Sequence, residues 1–197
     1  MLHKMAVTGG IASGKSTATR MFKELGASVA SADEIVHQLL TPNTTIGQKV
    51  IQLLGRSILT DNAIDRSKVA KIVFAQPPLL RSLESIIHPA VLDEIDKQYD
   101  KIKQSNNVTL FVAEIPLLFE MGAEKRFDAT LCVISKYETC INRFTQNAKF
   151  TKNEFDQRMS YQLSPEEKAK RATYVIDNNA SVKDLFEQIK LIYHSLT

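Results

Sequence analysis

Short, mostly apolar runs alternate along this chain with stretches whose apolar residues recur every three or four positions. The runs at Lys4–Thr8, Ala27–Ala30, Val108–Ala113, Ala129–Ile134 and Tyr174–Ile176 lack regular polar alternation. That is the pattern of strands buried on both faces of a parallel sheet. Between them, Ala18, Met21, Phe22 and Leu25 recur at helical spacing and stop at Gly26, and Ile35, Val36, Leu39 and Leu40 do the same. Pro42–Thr45 breaks the chain, and Ile46–Leu54 reads as a helix ending at Gly55. From Asp65 to Gln104 the pattern is helical almost throughout, with one stripe through Leu79, Leu83, Ile86 and Ile87 and another through Val91, Leu92, Ile95, Tyr99 and Ile102. Pro89 between the stripes is either a kink or the first residue of a new helix. Capping-box pairs signal further helix starts: Ser31 with Glu34, Ser135 with Glu138, Thr151 with Glu154 and Ser181 with Asp184. Ser164-Pro165-Glu166-Glu167 combines a cap, a first-turn Pro and an acidic first turn. Strands alternating with helices predict an α/β fold with a parallel sheet, interrupted by a helical insertion.

Composition narrows the picture only a little. The 197 residues suit one domain, and 44% hydrophobic with 24% charged residues is ordinary for a soluble one. A net charge of +3 is too weak to argue for nucleic acid, and no basic face with interleaved aromatics is visible. No apolar stretch is long enough to cross a bilayer, so no membrane partner is expected. Met1–Val7 leads straight into a strand without a signal-peptide layout, and the expected location is the cytoplasm. Cys132 and Cys140 have no metal-ligand spacing and read as buried structural thiols.

The chemistry is concentrated in Gly9-Gly10-Ile11-Ala12-Ser13-Gly14-Lys15-Ser16, a full G-x-x-x-x-G-K-[ST] match with a strand before it and a helix after it. Glycines let such a loop curl so that its backbone N–H groups form an anion nest. The following helix aims its positive end at the same point. Gly10 to Gly14 would supply the nest, Lys15 a charge for the β- and γ-phosphates, Ser16 a hydroxyl for Mg²⁺, and Thr17 a contact to the α-phosphate. ATP and Mg²⁺ are therefore the expected cofactors. No N-K-x-D base-recognition motif accompanies the loop, and the chain is short for a large ATPase. A helical insertion and a basic late segment suit a small-molecule kinase whose lobes close over the phosphoryl group.

Val7–Thr17 resembles the N-terminal signature of the dephospho-coenzyme A kinase family. Later features appear in that family's order: Ala32-Asp33, Ile64-Asp65-Arg66, Ile87-His88-Pro89, Ile115-Pro116-Leu117-Leu118-Phe119-Glu120, Arg158 with Gln162, and Val175-Ile176-Asp177-Asn178. The resemblance implies transfer of the ATP γ-phosphate to the ribose 3′-hydroxyl of dephospho-coenzyme A, its small-molecule partner. It implies a P-loop core over about 1–60, 106–137 and 167–197, a helical substrate lobe over about 61–105, and a lid over about 138–166. It also implies that Asp33 is the catalytic carboxylate, and that Arg66, His88, Pro116 and Leu117 lie toward the acceptor.

Several of these residues have ordinary readings as well. Asp33 lies just beyond a strand end, on the side where parallel sheets place ligands, where it can orient a hydroxyl and accept its proton. Its alternative is a helix N-cap, a role Ser31 and Glu34 are placed to fill. Glu114 sits at a Walker B-like position for Mg²⁺, or is a sheet-edge carboxylate. His88 touches the acceptor or caps a helix, Arg66 meets an acceptor phosphate or an exposed ion pair, and Asn178 borders adenine or is a turn residue. Arg143, Lys149, Lys152 and Arg158 make the lid positive; Arg143 and Arg158 are the catalytic candidates, and solvated lysines are the alternative for Lys149 and Lys152. Ala12 replaces a usual glycine, which is harmless at negative φ. Ser31 stands where the family often has an acid, and Asn147 where it usually has an arginine. Two rivals stand beside this reading. One is a small P-loop kinase acting on another alcohol, and the other a non-catalytic nucleotide sensor that would give Asp33 no role.

Overall fold

The computed structural model describes residues 1–105, 107–146 and 151–197. The lid positions Asn147 and Lys149 lie outside the described residues. In chain order the strands are β1 (His3–Gly9), β2 (Ser28–Ser31), β3 (Leu59–Thr60), β4 (Ala63–Ile64), β5 (Leu110–Glu114), β6 (Ala129–Ile134) and β7 (Tyr174–Asp177). The helices are α1 (Lys15–Glu24), α2 (Ala32–Leu39), α3 (Thr45–Leu54), α4 (Arg66–Ala75), α5 (Pro77–Ser105), α6 (Tyr137–Thr145), α7 (Lys152–Met159), α8 (Pro165–Arg171) and α9 (Val182–Leu196).

The expected parallel sheet forms in the order β2-β5-β1-β6-β7, every pair parallel. Its central strand, β1, is buried on both faces, which explains the unbroken apolar runs. Met5, Val7, Leu110, Val112, Leu131 and Val133 of the sheet pack with Met21 and Phe22 of α1 and with Leu185 and Ile189 of α9. Burying each such side chain fully contributes about 1.5–3 kcal/mol. Because all five strands run the same way, their carboxyl ends lie together, and the loop 10–14 leaves β1 at that edge.

The chain divides into two compact units, residues 1–31 with 99–197, and residues 32–98. Residues 32–60, expected with the core, group with the second unit. That unit holds α2, α3, α4, most of α5 and the small antiparallel pair β3–β4. Ile35, Val50, Ile58, Val69, Val73, Leu83, Ile87, Val91 and Ile95 are among its buried side chains. Pro89 neither starts a helix nor ends one: α5 runs through it without interruption.

Capping boxes form at Thr151–Glu154, Ser164–Glu167 and Ser181–Asp184, as their spacing predicts. The pair Ser135–Glu138 does not. The N-cap of α6 is Lys136, with no side-chain cap, because the Ser135 hydroxyl is used elsewhere. Both cysteines are free and buried, and burial pushes the Cys132 thiol up to about 11.

Candidate active site

The loop between β1 and α1 is held from outside by its carbonyl groups. The Ser13 carbonyl accepts from Asn178 Nδ2 at 2.8 Å, Ser135 Oγ at 3.2 Å and an Arg143 guanidinium nitrogen at 3.4 Å. The Ser13–Gly14 peptide is trans, as every peptide bond among the described residues is. Fixing its C=O therefore turns the Gly14 N–H to the opposite, concave side of the loop. Ser135 Oγ also donates to Asn178 O at 2.9 Å, and the Asn178 N–H donates to Ile134 O at 2.8 Å, so the carboxyl ends of β6 and β7 brace the loop together. Asn178 is buried, and its amide is committed to the loop. Gly14 leaves room for it: a Cβ there would lie 2.1 Å from Asn178 Nδ2.

The inner side is left for an anion. Gly14 is the N-cap of α1, with no side-chain cap and no acidic residue in the first turn. By contrast α3, α4, α7, α8 and α9 are each capped by a side chain. Backbone N–H groups and a positive helix end facing one loop are what phosphate needs. Buried Lys15 folds back over the loop, its Nζ 2.7 Å from Gly10 O. Ser16 Oγ donates to Glu114 Oε1 at 2.7 Å. A hydroxyl and a carboxylate are hard oxygen donors, and together with phosphate oxygens and water they make a set that fits Mg²⁺. A cavity of about 250 Å³ opens beside Gly10, Ile11 and Ser13, walled by Tyr137 and Cys140 of α6, Phe155 and Met159 of α7, and Pro165 of α8.

Ala12 is not a harmless exchange for glycine. Its φ is 55°, in the left-handed region, so the loop does need what glycine provides there. A side chain in that region costs about 1–2 kcal/mol. Ala12→Gly is expected to raise stability by about 1 kcal/mol after glycine's own entropic cost. A urea midpoint that fails to rise would show the loop unstrained.

A profile of the dephospho-CoA kinase family matches residues 4–184. The chain belongs to the dephospho-CoA kinase family. A dephospho-CoA kinase from Protochlamydia amoebophila is 45% identical over 196 residues, 99% of this chain and 97% of that protein. One from Aquifex aeolicus is 37% identical over 197 residues, 100% and 98% of the two chains. Among solved structures, dephospho-CoA kinase from Campylobacter jejuni superposes with a TM-score of 0.72 at 30% identity, over 100% of this chain and 98% of that one. Shikimate kinase from Acinetobacter baumannii, at 15% identity and a TM-score of 0.53, shares the P-loop kinase fold over 99% and 94% of the two chains. As a member of the dephospho-CoA kinase family the chain is a transferase, and no helix among the described residues is long and apolar enough to cross a membrane.

The other candidate residues lie in both units. The Arg143 guanidinium lies on the carbonyl side of the loop, 3.4 Å from Ala12 O and 3.3 Å from Asn178 O. Arg158, exposed on α7, stacks over the Phe144 ring at 5.5 Å. Pro116 O accepts from Thr8 Oγ1 at 3.2 Å, Leu117 is half-buried, and Leu118 and Phe119 are core. In the second unit, Asp33 lies in the first turn of α2, two residues beyond the end of β2. Arg66 is exposed at the start of α4, which Asp65 caps; the N–H groups of Lys68 and Ser67 hold the Asp65 carboxyl below its ordinary range. His88 is half-buried on α5, and burial lowers its affinity for a proton while Glu84 opposes that shift.

Sequence reasoning misses two residues. Ser135 reads as a cap, since nothing local shows that its partners are distant in the chain. Lys168 belongs to no motif in the sequence, yet it is completely buried. The only signal for it is an acid, Glu120, closing an apolar motif.

Proposed function

We propose that this chain, in the cytoplasm, transfers the γ-phosphoryl group of ATP to the ribose 3′-hydroxyl of dephospho-coenzyme A, giving coenzyme A and ADP at the last step of coenzyme A biosynthesis. The observation that carries it is the uncapped start of α1, with the Ser16–Glu114 pair beside it, in a chain that matches the family along nearly its whole length. The loop N–H groups and Lys15 bind the triphosphate. Ser16 and Glu114 would hold Mg²⁺, which when bound neutralises charge on the phosphates. The acceptor 3′-oxygen forms the new bond to the γ-phosphorus as the bond to the β–γ bridging oxygen breaks, and ADP departs with that electron pair. Asp33 orients the hydroxyl and takes its proton, which then passes to water.

Residues 61–105, with Arg66 and His88, are the proposed acceptor lobe, and Pro116 and Leu117, just past β5, are further proposed acceptor contacts. Residues 138–166 are the proposed lid, carrying Arg158 to the transferring group, while Arg143 braces the phosphate loop from its carbonyl side. Acceptor-dependent coenzyme A formation from Mg·ATP tests the reading. Asp33→Asn is expected to lower kcat about a hundredfold while ADP binding stays at the wild-type level. ATP binding without any acceptor-dependent ADP would instead indicate a nucleotide sensor.

A further inference from the structure

Lys168, on α8, has none of its side chain exposed. A lysine cut off from water keeps its charge only where acceptors surround the ammonium. Its Nζ donates to Pro116 O at 2.8 Å and to Gln162 Oε1 at 3.4 Å, and pairs with Glu120 Oε1 at 2.9 Å. These partners belong to separate pieces of the proposed site. Pro116 lies two residues past Glu114, at the exit from β5, and its carbonyl is shared with Thr8, the residue before Gly9. Glu120 closes the same turn and also accepts from the Leu163 N–H at 2.8 Å. Gln162 and Leu163 lie in the link from α7 to α8. Pro165, which opens α8, reaches to 3.8 Å from where a Cβ on Gly10 would sit.

We infer that Lys168 is a positioning residue for phosphoryl transfer: through the Pro116 carbonyl and Glu120 it holds the turn behind Glu114 and the start of α8 in register with the phosphate loop. The fold alone does not call for a charge there. A methionine has similar length, and a buried ion pair replaced by apolar and neutral groups commonly leaves stability unharmed. A displacement of about 1 Å at a distant support, however, costs turnover by about a hundredfold. The inference rests on the kinase reading and deepens it.

The test compares wild type, Lys168→Met and the double variant Lys168→Met/Glu120→Gln. In the double variant the neutral amide oxygen that replaces the Glu120 carboxylate still accepts from Leu163, and no charge is left buried alone. Melting temperature, KM for ATP and kcat are measured, with kcat counted per ADP-binding site so that only folded molecules enter. The expected result is a single variant of lowered melting temperature and a double variant that regains it. Both should show kcat down about tenfold or more with KM for ATP within about twofold of wild type. Wild-type kcat per binding site in either variant would overturn the inference, as would loss of ADP binding in both, which would make Lys168 a requirement of the fold. If wild type itself forms no coenzyme A, the kinase reading fails; if wild type is active and Lys168→Met equally so, only this inference fails.

Discussion

Lys15→Met is expected to lower kcat about a thousandfold with little change in stability. The ammonium is buried and sits 2.7 Å from the Gly10 carbonyl, so its position is set by the loop before any nucleotide arrives. In the proposed reaction that charge lies at the β- and γ-phosphates, where it stabilises the charge that moves onto the leaving oxygen. Methionine keeps most of the stem and its packing but removes the charge. The variant should therefore melt near wild type and bind ADP more weakly, with the main loss in kcat at saturating ATP. A Lys15→Met protein turning over within tenfold of wild type would remove Lys15 from the reaction.

Gly9→Ala is expected to destabilise the fold by about 3–5 kcal/mol and to abolish nucleotide binding where the chain still folds. Gly9 pairs in register with Val133 of β6 at φ 148°, a conformation that side chains rarely adopt. A Cβ there would lie 2.2 Å from the Val133 carbonyl oxygen. That oxygen is backbone in the adjoining strand, so it cannot swing aside as a side chain would. Relief has to come from opening the β1–β6 pairing where the phosphate loop begins. Urea unfolding and ADP titration would measure both effects, and wild-type values in either would show that the strand ends yield more easily than their packing implies.

What could be read from the residues, and what could not, divides by range. β6 occupies the residues its apolar run marks, Ala129–Ile134, because burial on both faces leaves no other pattern open to a strand. The caps at Thr151, Ser164 and Ser181 were legible because both partners lie within one helical turn. The phosphate loop was legible because its spacing is local too. The same local logic failed at Ser135, whose hydroxyl reaches Ser13 and Asn178, far along the chain. It failed at Lys168, whose burial depends on the turn after β5 closing over it. At Ala12 the sequence left the backbone open, since a residue's name does not disclose the sign of its φ. The division after Ser31 was hidden because β2 and α2 follow each other without a linker.

The Ser13 carbonyl, gripped at once from the ends of β6 and β7 and from α6, has a thermodynamic consequence. Fixing the backbone of one residue costs about 1–2 kcal/mol of entropy. In this chain that cost is met for the phosphate loop when the sheet and its flanking helices assemble, long before a ligand diffuses in. Capture of a triphosphate is then close to docking on a rigid mould, so most of the contact energy remains available as affinity and little is diverted to ordering the receptor.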